Sequence, residues 1–187
     1  MRLDRIYTRG GDQGQTSLGD GSRVAKYDLR VQACGGLDEA NAALGLALLH
    51  ILDDEIRAVL SVAQNDLFDV GADICCPEDD AEKKTRLRVT EEQTLRVEHY
   101  IDRFNEVLEP LTSFVLPGGS PASAYLHHAR TIVRRAERDI AELAAKERVN
   151  AGALKYVNRL SDLLFVLARY CNGRGANEVL WTPGQNR

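Results

Sequence analysis

A stretch of 61 residues without proline, 122–182, most strongly limits the possible folds. Proline removes a backbone donor and clashes with the preceding helical turn, so long helices need such a stretch. Within it, apolar residues recur at intervals of three and four, the periodicity of an amphipathic helix. The stretch predicts one helix over about 121–146, with Ser120 as its N-cap, and a second from a cap at Asn150 to a stop at Gly173.

Three further helices are predicted upstream. The sequence Thr-Glu-Glu-Gln at 90–93 has the spacing of a capping box, and a helical apolar pattern follows it until Pro110. Two others are predicted over about 27–50 and 54–75. Strands are barely indicated, since only 113–116 has an extended character. We therefore expect an all-α fold, a five-helix bundle with ferritin-like up-and-down packing in one domain.

Composition excludes several classes of protein. The net charge of -4 provides no general attraction to nucleic acid or anionic lipid. The longest apolar run, 163–168, is far shorter than the roughly 18 residues that span a bilayer, and the first residues lack the apolar block of a signal peptide. We expect a cytoplasmic protein with no nucleic-acid or membrane partner, and we expect the charged connection 78–88 to be a solvated loop.

Cysteine and histidine spacing gives no metal motif. The four cysteines contain no CxxC and form no zinc-like grouping with the four histidines. No glutamate has a histidine three residues later, which excludes the di-iron class of helical bundle. We therefore expect reduced thiols and no metal bound directly by protein ligands.

The first candidate site is the glycine-rich segment 8–26. Glycines let backbone N–H groups approach an anion closely, and Lys26 at a helix start could neutralise its charge. The segment is not a Walker A loop, because Gly14 and Gly19 have the required gap but Asp20 follows where lysine is needed. The alternative is a loop that is merely flexible.

The second candidate lies on the fourth predicted helix. Arg130, Arg134 and Glu137 share one line, and Arg135 and Arg138 flank it. Arginines this close repel one another unless an acidic group meets them, and guanidinium groups suit phosphate oxygens. The line borders the apolar stripe, so we expect the guanidinium groups at a packing seam. The alternative is a solvated basic face with an Arg134–Glu137 salt bridge.

The third candidate lies on the last helix, where Asn158, Asp162, Phe165 and Arg169 share one line opposite the apolar face. Alone, this line could be a hydrogen-bond network between helices. The pair 35–36 places two glycines inside a predicted helix, at a cost of about 1 kcal/mol each relative to alanine. That cost indicates a bend or a close backbone contact.

Together and in this order, these stretches resemble the PduO-type ATP:corrinoid adenosyltransferases, which transfer the 5′-deoxyadenosyl group of ATP to cob(I)alamin. The resemblance covers the chain from Ile6 to about Asn172. It rests on TRGGDQGQTSLGDGSRVAK at 8–26, GLDEANAALG at 36–45, FVLPGGSPASA at 114–124, ARTIVRRAER at 129–138 and YVNRLSDLLFVLAR at 156–169.

The resemblance implies a domain plan and an assembly. One domain over 1–187 would comprise a nucleotide-binding loop at 1–26, a helical bundle at 27–175 and a C-terminal tail at 176–187. The protein would be a homotrimer with sites between subunits, ATP would carry Mg²⁺, and cobalamin would be a substrate. A flavin-type reductase and an adenosylcobalamin-dependent enzyme are further possible partners.

The resemblance also implies roles for individual residues. Asp38 would pair across the interface with Arg130, and Phe114 would contact the corrin and displace its lower ligand; these three are the expected catalytic residues. ATP would be bound by Thr8, Arg9, Gly10, Gly11, Thr16, Ser17, Lys26, Arg134, Arg135, Glu137, Arg138 and Asn158.

The sequence departs from the family pattern at three positions, because Gly10, Cys34 and Gly36 stand where Thr, Tyr and Thr are common. Two other functions are compatible with the loop and the arginines: a different ATP-using enzyme such as a phosphotransferase, and a noncatalytic helical trimer that senses ATP. Neither of these functions gives a reason for Phe114 in its proline-bounded apolar segment.

Overall fold

The computed structural model describes residues 6–78 and 86–187, and five α-helices make up most of these two ranges. The helices are α1 (Leu29–Leu48), α2 (Asp54–Cys75), α3 (Glu91–Asn105), α4 (Pro121–Ala144) and α5 (Ala151–Tyr170). The prediction of five helices is confirmed, with ends that differ by a few residues. The first five residues of the predicted nucleotide loop, and residues 79–85 of the predicted solvated loop, lie outside the described residues.

The predicted N-caps form. Ser120 accepts a hydrogen bond from the Ser123 backbone N–H at the start of α4, and Asn150 accepts one from Gly152 at the start of α5. In the capping box, the Thr90 N–H donates to the Gln93 side chain over 3.0 Å. These bonds satisfy backbone donors that have no partner within the helix, so local sequence sets where these helices begin.

The helices pack around one apolar core. α4 lies between α1 and α5, while α2 packs on α1 and α3 packs on α5. Gly36 lies where α1 meets α4, because a Cβ atom there would be only 3.2 Å from the Cα of Ala136. The close contact predicted for the glycine pair is therefore found at Gly36, whereas Gly35 faces open space.

Two buried aspartates of α2 connect the remaining helices. Asp66 accepts hydrogen bonds from Gln93 and Arg96 of α3 and from the hydroxyl of Tyr156 of α5. Burial is the main cause that raises the pKa of Tyr156, with the neighbouring Asp66 adding to it. Asp73 binds the backbone and side chains of the segment before α3, so both carboxylates are satisfied in the interior.

The all-α expectation needs a correction, because the predicted loop contains two antiparallel strands, β1 (Gln15–Ser17) and β2 (Arg23–Ala25). The connecting turn is held by Asp20, whose side chain accepts bonds from the backbone and hydroxyl of Ser22. Strands of three residues are too short to show alternating polarity, which is why the sequence did not reveal them.

The extended character predicted for 113–116 is confirmed, since Val115 forms a β-bridge with Leu180 of the C-terminal tail. The four cysteines, all within the described ranges, are free thiols. Across residues 6–78 and 86–187, no helix is long and apolar enough to cross a membrane.

Candidate functional site

The glycine-rich loop is held against the end of α2. The Gly19 N–H donates to the Cys75 carbonyl over 2.9 Å, which attaches the hairpin to the last residue of that helix. Arg23 links the two parts of the loop, because its guanidinium donates to the Gly10 carbonyl at 2.6 Å and to the Ser17 hydroxyl at 3.2 Å. The loop therefore has a defined conformation in the free chain.

Cationic side chains lie beside the glycines of this loop. The Lys26 ammonium is close to Gly11, where a Cβ atom would be 3.1 Å from Nζ. Arg9 has a φ of 60° and places its guanidinium 5.8 Å from the centre of the Tyr7 ring. Both cations are exposed to solvent. With the Thr8 hydroxyl beside them, they give the loop the charge and donors that an anion requires.

A second polar cluster lies along α4 and α5. The Asn158 amide donates to the Glu137 carboxylate over 2.8 Å, and Asn158 accepts a bond from Arg159. Arg134 is exposed, and its guanidinium has no hydrogen-bond or ion-pair partner in the described part of the chain. The Arg134–Glu137 salt bridge is therefore not formed, and Arg134 is available to a ligand.

The two arginines that flank this line, Arg135 and Arg138, have partners within the chain. Arg135 forms an ion pair with Glu39 of α1, and Arg138 donates to the Arg134 carbonyl. Both are exposed, and so is Arg134, where the expectation that the guanidinium groups of its line lie in a packing seam is not met. Arg135 faces α1 because α4 is packed on two sides, and the structure does not bring it together with Glu137 and Asn158.

The line predicted on α5 is also corrected at its C-terminal end. Asn158, Asp162 and Phe165 are at least partly exposed, but Arg169 is buried, with 5% of its surface exposed. Desolvation raises the pKa of Asp162, and Glu137 adds to this, whereas the nearby arginines oppose it. The exposed polar line is therefore shorter than expected and ends before Arg169.

An apolar cavity of about 670 Å³ opens at the end of the charged cluster. Its wall consists of residues 111–115, Arg130, Phe165 and Trp181. Phe114 has 76% of its surface exposed, so it is not a core residue, and its ring centre lies 6.0 Å from that of Trp181. Sequence analysis missed Trp181, for which the only signal was a lone tryptophan in a polar tail.

Arg130 is only partly buried at the rim of this cavity. Its guanidinium lies 5.8 Å from the centre of the Phe165 ring, and its buried Nε has no hydrogen-bond partner among residues 6–78 and 86–187. Burial lowers the pKa of Arg130, and the positive charge of Arg134 lowers it further. Behind Phe165, burial and the charge of Arg130 also lower the pKa of His127. Arg130 therefore carries a charge that its own chain does not compensate.

Asp38 lies elsewhere, in an apolar groove of about 360 Å³ between α1 and α2. It is exposed, and within residues 6–78 and 86–187 it forms no hydrogen bond or ion pair. The same ranges contain no hydrogen bond or ion pair between the loop 8–26 and the Arg134 cluster. The chain thus separates the predicted site residues into the loop, the face of α4 and α5, and the groove with Asp38.

Comparison with known proteins gives consistent matches over nearly the whole chain. Residues 6–171 match the family described as cobalamin adenosyltransferase. A corrinoid adenosyltransferase of Mycobacterium tuberculosis is 52% identical over 190 residues, which cover 100% of this chain and 97% of the relative. A cobalamin adenosyltransferase of Cupriavidus metallidurans is 45% identical, with 96% and 95% of the two chains covered.

Solved structures match as well. The structure of a variant PduO-type ATP:corrinoid adenosyltransferase from Lactobacillus reuteri, complexed with cobalamin and ATP, superposes with a TM-score of 0.89. It is 36% identical and covers 96% of this chain and 97% of its own. Another variant of that enzyme, complexed with ATP, gives a TM-score of 0.85 at 37% identity, with 95% of this chain and 100% of that chain covered.

Proposed function

The chain belongs to the cobalamin adenosyltransferase family, and we propose that it transfers the 5′-deoxyadenosyl group of ATP to cob(I)alamin, giving adenosylcobalamin and triphosphate. One observation carries the proposal. Arg134 is exposed and has no partner within the described ranges, and it lies one helical turn from Arg130, which borders an apolar cavity lined by Phe114. A phosphate-binding surface and a pocket for a large apolar ring system therefore adjoin on one face.

The chemistry requires positioning more than reactive side chains. Cob(I)alamin is itself a strong nucleophile, so its attack on C5′ of ATP needs no nucleophile from the protein. As the C5′–O bond breaks, negative charge grows on the departing triphosphate, and Arg134 and Lys26 stabilise it. Mg²⁺ comes bound to the ATP phosphates in this proposal. The described ranges contain no group of three His, Cys, Asp or Glu side chains that could hold the ion.

The complete site is proposed to form between subunits of a homotrimer. The loop and the face of α4 and α5 are apart within one chain, yet both present donors suited to phosphate. In the part of the chain that the structure describes, Asp38 lacks a partner, and so does the buried Nε of Arg130. An Asp38 carboxylate from a neighbouring subunit would satisfy Arg130, and the neighbour's loop would then lie close to Arg134.

In this arrangement ATP lies between the loop of one subunit and α4 and α5 of the next. Arg135 has an alternative role in its ion pair with Glu39, so its contact with ATP requires that pair to open. The loop side would comprise Thr8, Arg9, Gly10, Gly11, Thr16, Ser17 and Lys26, and the helical side Arg134, Glu137, Arg138 and Asn158.

Phe114 is proposed to act on the corrinoid. Its ring projects into the apolar cavity, where it would keep water and the lower base away from cobalt. Loss of that ligand raises the Co(II)/Co(I) potential and makes reduction easier. The electron donor, for which a flavin-type reductase is our proposal, would act on this corrinoid, and an adenosylcobalamin-dependent enzyme would receive the product.

The test of the function is an anaerobic assay that mixes protein, MgATP and chemically reduced cobalamin. We expect the absorbance change to adenosylcobalamin, with triphosphate formed in step, because attack at carbon cleaves no bond between phosphates. Chromatography measures the second product. ADP or AMP in stoichiometric yield would instead place the protein among the phosphotransferases, and no turnover would favour an ATP sensor.

Arg134→Ala is expected to weaken the use of ATP without unfolding the protein, because the guanidinium is exposed and unpaired. Charge-assisted hydrogen bonds contribute about 1.5 to 3 kcal/mol each, so kcat/KM for ATP should fall by at least about tenfold. Arg103→Ala is the matched control, since Arg103 is an exposed arginine on α3 that pairs with Glu55. Equal kinetics in the two variants would mean that Arg134 belongs to a solvated face.

Asp38 and Arg130 are expected to be coupled although they lie apart within one chain. A double-mutant cycle with Asp38→Ala and Arg130→Ala, measured on kcat/KM, should give a coupling energy of about 0.5 to 3 kcal/mol. Asp38→Ala combined with Arg103→Ala should be additive. Sedimentation of the same proteins reports their assembly. Additivity in both cycles, or full activity from a monomer, would contradict a site between subunits.

Phe114→Ala is expected to keep the affinity for ATP while Co(II) stays five-coordinate and resists reduction, as seen by electron paramagnetic resonance. Because the ring is mostly exposed, stability should change by less than about 0.5 kcal/mol. Leu95→Ala, an exposed apolar truncation on α3, is the control. A four-coordinate Co(II) signal in Phe114→Ala would remove this side chain from the mechanism.

A further inference from the structure

A buried ion pair attaches the C-terminal tail to the bundle. Arg169, in the last turn of α5, donates from Nε to Glu178 Oε1 at 2.6 Å and from Nη2 to Oε2 at 3.3 Å. The two side chains are only 6% and 7% exposed. Nη2 also donates to the Glu109 carbonyl over 2.8 Å, so the pair joins α5, the tail and the segment after α3.

Such a pair is costly to bury, because both charges lose water, and it persists only where its hydrogen bonds are well made. Neither the proposed reaction nor the packing of the apolar core requires this ion pair. The tail that the pair holds continues directly into the wall of the apolar cavity, so the pair fixes the position of that wall.

The chain reverses sharply between the two partners. Gly173, Arg174 and Gly175 all have positive φ, at 70°, 53° and 85°. The Gly175 N–H donates to the Arg169 carbonyl, and a Cβ atom at Gly175 would lie 3.4 Å from Glu178 Oε2. This turn ends α5 and returns the chain so that Glu178 meets Arg169.

Beyond Glu178 the tail pairs with the segment that carries Phe114. The Leu116 N–H donates to the Val179 carbonyl at 2.8 Å, and the Trp181 N–H donates to the Phe114 carbonyl at 2.7 Å. The Ser113 hydroxyl donates to the Trp181 carbonyl, also at 2.7 Å. These bonds place the Trp181 ring beside that of Phe114, and both rings line the cavity.

We propose that Arg169 and Glu178 are positioning residues that hold the Phe114–Trp181 wall in place for the corrinoid. The pair does not line the 670 Å³ cavity and acts through residues 179–181 of the tail, which bond to the segment that carries Phe114. The role of the pair in corrinoid use rests on the proposed function. Its role in attaching Trp181 to the bundle is independent of that function. Disrupting the pair frees the tail, and the apolar wall then loses its fixed geometry.

The first measurement uses the free protein. Trp181 is the sole tryptophan of the sequence, so fluorescence excited at wavelengths that the six tyrosines do not absorb reports its surroundings alone. Glu178→Gln keeps the size of the side chain and removes its charge. It should shift the emission to longer wavelength and raise the acrylamide quenching constant, because the indole becomes more exposed to water. Glu142→Gln, which removes a carboxylate from the exposed pair with Lys146, should match the unaltered protein.

The second measurement compares the KM for cob(I)alamin with the KM for ATP. In Glu178→Gln the KM for cob(I)alamin should rise by about tenfold, as expected for a small misplacement of a binding wall, while the KM for ATP stays within about twofold. Glu178→Asp, which retains the charge, should recover part of this loss. A merely structural role would raise both KM values together or lower the melting temperature alone.

The outcomes are distinguishable. Unchanged fluorescence and quenching in Glu178→Gln would overturn the proposal, and so would equal changes in both KM values. An unaltered protein without adenosyl transfer would contradict the proposed function, while the fluorescence of the variants would still test the attachment of the tail. If circular dichroism shows that Glu178→Gln has lost helix, the same comparisons made on Glu178→Asp decide.

Discussion

The packing of α4 between α1 and α5 is the constraint on which the rest of the structure depends. Buried residues at intervals of three and four on α4 meet both neighbours, and Gly36 lets α1 approach Ala136 closely. The arginines of α4 lie outside this buried stripe. Arg135 faces α1, where it meets Glu39, whereas Arg130 and Arg134 lie on the side of α5. Which arginine pairs within the chain and which stays unpaired in its described parts therefore follows from helix packing.

The interior contrasts with the face of α4 and α5 in how its polar groups are satisfied. Asp66 and Asp73 are buried and have several donors each, as the low dielectric of a core requires. Arg130, Arg134 and Asp38 lack such partners in the described parts of the chain. The chain therefore satisfies its buried aspartates but leaves the charges of Arg130, Arg134 and Asp38 without partners of its own. In the proposed site, a nucleotide and a neighbouring subunit would supply those partners.

Along the face of α4 and α5, a charged surface is followed by an apolar one. The cluster at Arg134 and Asn158 suits an anion, and within about one helical turn the surface changes to Arg130, Phe165 and the aromatic wall. A displacement reaction between a polyphosphate ester and a large corrin ring needs these two surfaces in contact. The wall is built from two segments distant in sequence, so its geometry depends on whatever holds the C-terminal tail.

Local sequence by itself determined the helices, because proline positions, N-caps and apolar periodicity act over a few residues. The glycine-rich loop and the line of arginines on α4 were likewise recognisable in the sequence, and the exposure of Phe114 agrees with what the family resemblance implied. Tertiary structure alone decided the ion pair of Arg135, the burial of Arg169 and the arrival of Trp181 beside a segment 68 residues away. The physical reason is that such contacts depend on how the helices and tail pack, which no local pattern records.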